Sequence, residues 1–130
     1  MIELENFEEH LNQITKEKWY DLFSLLPEIK ETKDFGNYIN NAKIVSKTLN
    51  SIYDLNLAPV FNWVDWEFGR EVLGSSDFDY TGLDKITLCK LITCIVRSNR
   101  FNDGYTISCF KNGTFEKILI KLKKEILQIL

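Results

Sequence analysis

The chain has 130 residues, 45% of them apolar, and a formal charge of −3. That is enough apolar material for one core without disulfides or metals and too little chain for two self-sufficient domains, so residues 1–130 are expected to form a single globular domain. The negative balance excludes a protein whose whole surface tracks a phosphate backbone, and leaves a local basic patch as the route to nucleic acid.

Leu4, Phe7, Leu11 and Ile14 recur at steps of three and four, which predicts an amphipathic helix over Met1 to Ile14. Thr15 can cap a second helix, Lys16 to Leu26, with Trp19, Leu22, Phe23 and Leu26 on one face and Pro27 as its stop. Glu28 to Asn41 reads as loop, with Phe35 and Tyr38 packing inward. A third helix is expected from about Ala42 to Leu55, where Ile44, Val45, Leu49, Ile52 and Tyr53 share a face, and Pro59 marks the exit. Asn62 stands as an N-cap with Asp65 three positions on, opening a short helix that carries Trp63, Trp66 and Phe68 and stops near Leu73 or Gly74.

The run Ser75 to Tyr80 has no period and several turn formers, so it reads as a loop that pins two aromatic rings. Thr81 with Asp84 forms a second capping-box pattern ahead of the strongest helix, roughly Leu83 to Arg100. Leu88, Leu91, Ile92, Ile95 and Val96 fall on one broad face, Asn99 in its middle, and Arg97 and Arg100 about 60 degrees apart at its border. Gly104 suits the left-handed conformation of a helix exit. Tyr105 to Phe110 alternates like a short strand before the turn dipeptide Asn112-Gly113. Thr114 then caps a last helix whose Phe115, Ile118, Leu119, Leu122, Ile126 and Ile129 keep helical spacing to the C-terminus. The expected fold is therefore mainly α, a compact single-domain bundle of five or six helices with at most one short β-ribbon near residues 105–114. Its C-terminal end is locally basic and its first forty residues acidic, an opposition that suits docking of the two on each other or on a partner.

Few residues invite chemistry. His10 sits among Glu8, Glu9 and Asn12 and reads as a solvated histidine. Cys89, Cys94 and Cys109 form no CxxC pair, and Cys89 and Cys94 turn about 140 degrees apart on a helix, so buried structural thiols account for them better than a metal site. Neither a signal-peptide pattern nor a membrane-spanning run is present, which leads to an expected cytoplasmic location with no membrane contact. Phe61, Trp63, Trp66 and Phe68 suit core filling more than a stacking platform. Arg97 and Arg100 are the sharpest candidates, because two guanidinium groups at a helix end can clamp a phosphate or carboxylate. An internal salt bridge to Asp65, Glu67 or Asp103 accounts for them better, because a border position between core and water is where structural arginines commonly lie. Asn99 on the core face needs hydrogen-bond partners, expected from the Phe61-Asn62-Trp63 corner or the turn before Gly104.

Trp19 with Leu26-Pro27, Phe35-Gly36, Phe61-Asn62-Trp63 followed by Trp66, Leu91-Ile92-Thr93 through Arg97, Arg100-Phe101 and Gly104, then Gly113 and Leu119, together span most of the chain. In these residues the chain resembles a bacterial family known only as a domain of unknown function, number 6508. That family's pattern prefers aspartate where this chain has Asn62 and Asn99. The resemblance implies that if those aspartates are catalytic in relatives, this member is inactive, whereas capping or structural roles survive the exchange. It supplies no activity and no cofactor.

The reading that results is a non-enzymatic interaction module that binds a protein or small anionic ligand around Arg97, Arg100, Trp63, Trp66 and Asp65, with Asn62, Asn99 and Asp103 as structural polar residues and no catalytic or metal-ligating residue. One alternative is an enzyme on a phosphorylated or nucleotide-like substrate, with the arginines as anion clamp and Asp65 or Glu67 as base. The other is a nucleic-acid-binding accessory or phage-defence factor using the C-terminal lysines.

Overall fold

A computed structural model of the chain describes residues 2–129, without the Ile129 side chain. Met1, at the start of the first predicted helix, and Ile129 and Leu130, at the end of the last, thus have side chains outside the described residues. Among those described, eight α-helices follow one another with three 3-10 turns between them. This is more helix than the five or six expected, for two local reasons.

The first lies at Pro27. A 3-10 turn, Leu4–Asn6, leads into α1, Phe7–Gln13, and Thr15 Oγ1 accepts from the Lys18 N–H at the start of α2, Lys16–Phe23. The chain breaks at Ser24 and Leu25 and restarts as α3, Leu26–Glu31, with Pro27 in its first turn. Proline is tolerated there because the first N–H groups of a helix have no intrahelical acceptor, so the residue expected to stop one helix sits inside the next. Leu26 and Ile29 are buried by it.

The second lies at Tyr105. No ribbon forms near residues 105–114: Tyr105–Lys111 is α7, and it buries Thr106, Ile107, Cys109 and Phe110, the spacing of a helix face. Threonine reads as the polar half of an alternation, yet Thr106 is buried because its hydroxyl donates to the Ile95 carbonyl at 3.1 Å. Asn112 and Gly113 turn the chain between helices rather than strands, with Asn112 Oδ1 accepting from the Thr114 N–H at the start of α8, Thr114–Ile129. The β-like pairings among the described residues are isolated bridges, Glu3 with Val60 and Gly36 with Asn41.

The remaining helices are α4, Lys43–Asp54, α5, Glu67–Leu73, and α6, Lys85–Ser98. The cap of α6 is Asp84, whose Oδ1 accepts from the Thr87 N–H at 2.7 Å, and not Thr81, which lies in the 3-10 turn Tyr80–Gly82. Helix α6 is the hub. It packs on α5, α7, α8 and the 3-10 turn Trp63–Asp65, while α8 also packs on α2 and α3. The basic last helix therefore does dock on the acidic first part of the chain, but through apolar residues such as Leu26, Phe115, Leu119 and Leu122 in one buried cluster. Its Lys121 pairs within its own helix, with Glu125 at 2.9 Å.

Three side chains differ from expectation, the first being Tyr53, which its spacing puts on the apolar face of α4 but which is 54% exposed at the helix end. His10 is half-buried, its Nε2 donating to the Leu55 carbonyl at 2.8 Å, so it ties α1 to the end of α4 instead of being solvated. Phe35 is buried as expected, but Tyr38 points outward and is 53% exposed, because the turn at Gly36 to Asn41 carries it over the surface. Cys89, Cys94 and Cys109 are all buried free thiols. Among the described residues no helix is long and apolar enough to cross a membrane, and no group of three His, Cys, Asp or Glu side chains is arranged to hold a metal ion.

Because α6 is buried nearly all round, its one hydroxyl between Leu91 and Val96 must find an acceptor. Thr93, 2% exposed, donates to the carbonyl of Pro59 at 2.9 Å and lies 3.4 Å from that of Cys89. Thr93→Val keeps the shape and strands the Pro59 carbonyl, so it is expected to lower unfolding free energy by about 1–3 kcal/mol in urea denaturation. A stability equal to that of the parent chain would show that this bond does not hold the Pro59 segment.

Candidate functional site

Residues 59–66 form a corner fixed from two sides. Thr93 holds Pro59 from α6, and Val60 exchanges backbone hydrogen bonds with the N-terminal segment, donating to the Ile2 carbonyl at 2.9 Å and accepting from the Leu4 N–H at 3.3 Å. Asn62 makes no side-chain cap bond; its Nδ2 donates instead to Asp65 Oδ2 at 2.7 Å, so the expected cap and its acidic partner satisfy each other at the surface. The Trp66 indole lies across Gly69, where a Cβ would come within 2.5 Å of Trp66 Cε3. Only glycine lets the ring seat there. From that seat Trp66 meets Phe61 edge-on at 5.5 Å, and the Lys90 ammonium lies 4.2 Å from the Trp66 ring centroid and 4.8 Å from that of Phe61. The aromatic contacts continue from Trp66 to Phe68, Phe78 and Tyr80.

Beside this cluster, with Gly69 common to both, a cleft of about 590 Å³ opens between α5 and α6. Trp63, Val64, Arg70 and Leu73 line it from α5 and the turn before it; Cys94, Ser98, Phe101 and Tyr105 line it from α6 and the corner leading to α7. The rings of Trp63 and Phe101 face each other with centroids 6.2 Å apart, and Phe101 is 80% exposed. Arg70 carries the formal charge of the lining, and among the described residues it forms no ion pair with a carboxylate. The corner itself depends on Gly104, whose φ of +84° lies in the region that side chains disfavour. Across it Asn99 Oδ1 accepts from the Thr106 N–H at 3.3 Å, so Asn99 finds its partner on α7 rather than at Phe61 to Trp63 or before Gly104.

The residues singled out from sequence are spread around this corner rather than gathered in the cleft. Arg97 is half-buried and engaged with the rest of the fold, and Arg100 is exposed. Trp66 belongs to the Lys90 cluster, Asp65 to Asn62, and Asp103 is exposed in the turn before Gly104. Trp63 does line the cleft. Sequence reasoning missed Lys90 and Arg70, although each leaves a signal. Lys90 is the only charge between Lys85 and Arg97, in a stretch too apolar to leave it solvated on all sides. Arg70 falls four residues after Trp66 and three before Leu73, a charge within an apolar stripe.

Burial sets the protonation of the cleft's two acidic side chains. It pushes the Cys94 thiol up to about 11, and it pushes the Tyr105 phenol up to about 12 with help from neighbouring Cys109. Both are neutral near pH 7, so the cleft offers a thiol and a phenol as hydrogen-bond donors rather than as nucleophiles.

Lys90→Gln removes the cation between the two rings and is expected to cost about 1 kcal/mol of stability, with a change in the near-ultraviolet circular dichroism of Trp66. An unaltered spectrum would place the ammonium elsewhere in solution. The raised acidities predict an alkaline limit. Cys94, Cys109 and Tyr105 are harder to ionise folded than unfolded, so their contribution is complete below the ordinary thiol value of 9.0 and is lost as pH rises toward about 11 for the thiols and about 12 for the phenol. Urea midpoints measured from pH 7 upward should be level to about pH 9 and fall beyond it. Midpoints that stay level through pH 11 would contradict the burial of these groups.

No curated protein and no solved structure matches this chain. A family model does match it, over residues 14–128, which takes in α2 to α8 apart from the last residue of α8, both walls of the cleft, and the Lys90 cluster. The chain belongs to that family, described as a family of unknown function (DUF6508).

Proposed function

We propose that the chain is a non-enzymatic interaction module whose recognition site is the cleft between α5 and the α6–α7 corner. The observation that carries this reading is the cleft itself: about 590 Å³, walled by the facing rings of Trp63 and Phe101, with the Arg70 guanidinium in its lining. That volume lies in the range of small-ligand sites, and apolar walls with a few placed polar groups are how such sites obtain both affinity and orientation. The site is thus centred on Trp63 and Arg70, and Arg100, exposed in the turn after α6, is not part of its lining.

An enzyme that used Arg97 and Arg100 as anion clamp with Asp65 or Glu67 as base draws less support. Asp65 is hydrogen-bonded to Asn62, and neither carboxylate lines the cleft. Nucleic-acid binding through the C-terminal lysines also draws less support, since Lys121 is paired with Glu125 and the groove bordered by Lys123 and Lys124 is bordered by Glu31 and Glu116 as well.

A screen of small aromatic and aliphatic fragments by amide and indole chemical-shift mapping tests the reading. Saturable shifts are expected to cluster on Trp63, Phe101 and Tyr105, and to disappear in a folded Ser98→Phe variant whose added ring occupies the cleft. Shifts scattered over the surface, or unaffected by Ser98→Phe, would defeat it.

A further inference from the structure

The cleft's lining specifies the chemistry of its occupant more narrowly than binding alone, a specification that rests on the cleft being the recognition site. Its walls are mainly carbon: Trp63, Val64, Leu73 and Phe101 present rings and branched chains. Such walls reward an occupant with an aromatic or aliphatic body, because each apolar surface removed from water contributes. Against them stands one cation, Arg70, exposed at the edge and without an ion pair among the described residues. The lining also includes the Ser98 hydroxyl and the Asn102 amide, both neutral donors.

One guanidinium matches one negative charge. A phosphate monoester carries nearly two at neutral pH, and the second would enter an apolar cleft without a counter-charge. A carboxylate carries one and meets a guanidinium in a planar, two-bond fork. We propose that the cleft binds a small monocarboxylate with an aromatic or aliphatic body, its carboxylate on Arg70 and its apolar body against the wall that Trp63 and Phe101 form together.

Titration with 2-naphthoate, its uncharged analogue 2-naphthamide and 2-naphthyl phosphate, followed at the Trp63 indole N–H, tests the assignment. Naphthoate is expected to bind about tenfold more tightly than naphthamide, the worth of a charge-assisted hydrogen-bond pair, and more tightly than the phosphate. Arg70→Gln, a surface substitution that leaves the fold intact, is expected to erase the preference while naphthamide still binds. Equal binding of naphthoate and naphthamide to the parent chain would overturn the carboxylate assignment and leave the cleft as a binding site. A preference that survives Arg70→Gln would overturn the role of Arg70, and tighter binding of the phosphate would overturn the charge match. Failure of all three probes to move the Trp63 signal would overturn the inference, and Ser98→Phe mapping of fragment binding would then decide whether the cleft reading falls with it.

Discussion

The burial of α6 is the constraint on which the rest of the structure depends. Leu91 to Val96 are all buried, so this helix has no water-facing side along its middle turns and must be covered from every direction. Helices α5, α7 and α8 and the Trp63 turn supply that cover. Each polar group caught inside then needs an internal answer. Thr93 turns to Pro59, the Ile95 carbonyl receives Thr106, and Lys90 lies against Phe61 and Trp66. These answers are also the joints of the fold, since Thr93 and Lys90 tie α6 to the corner at residues 59–66 and Thr106 ties it to α7. Buried polar contacts of this kind add little net free energy when satisfied and cost much when broken, which makes them devices for uniqueness of arrangement more than for stability.

The same joints shape the surface. The corner after α4 cannot drift from α6 while Thr93 holds it, and the corner after α6 is bent by Gly104 and held by Asn99. The cleft is the space left between these two fixed corners. Its two corners are therefore set by side-chain-to-backbone hydrogen bonds and by a positive-φ glycine, and a preformed pocket spares a ligand the ordering cost of building one.

Where the chain's own periodicity was governed by one face, the sequence was legible. The apolar faces of α2, α4, α6 and α8 carry buried residues as their spacing requires, whereas the helix expected to open at Asn62 begins only at Glu67, because Asn62 bonds to Asp65 instead of capping and Trp63 to Asp65 form a 3-10 turn. Periodicity misled where one residue type serves two structures. Proline stops helices and starts them, so Pro27 concealed α3. Threonine counts as polar until its hydroxyl is spoken for, so Thr106 made α7 look like a strand. The site was harder still, because Arg70 and Phe101 are far apart in sequence and acquire a common meaning only when α5 is laid against α6. Arg97 and Arg100 stand out by their spacing along one helix, whereas the cleft is defined across helices.

The pairing of Val60 with residues 2 and 4 has a kinetic side. The corner that carries Trp63 is fastened at Val60 to the start of the chain and at Pro59 to Thr93, 34 residues further on. Both fastenings close long loops, and the entropy of each closure must be met before any aromatic contact at the corner is gained. If the N-terminal segment frays, the Val60 pairing goes with it and the corner that carries Trp63, one wall of the cleft, loses one of its two fastenings. Loss of the cleft would then report on the integrity of the chain's first few residues, although none of them touches it.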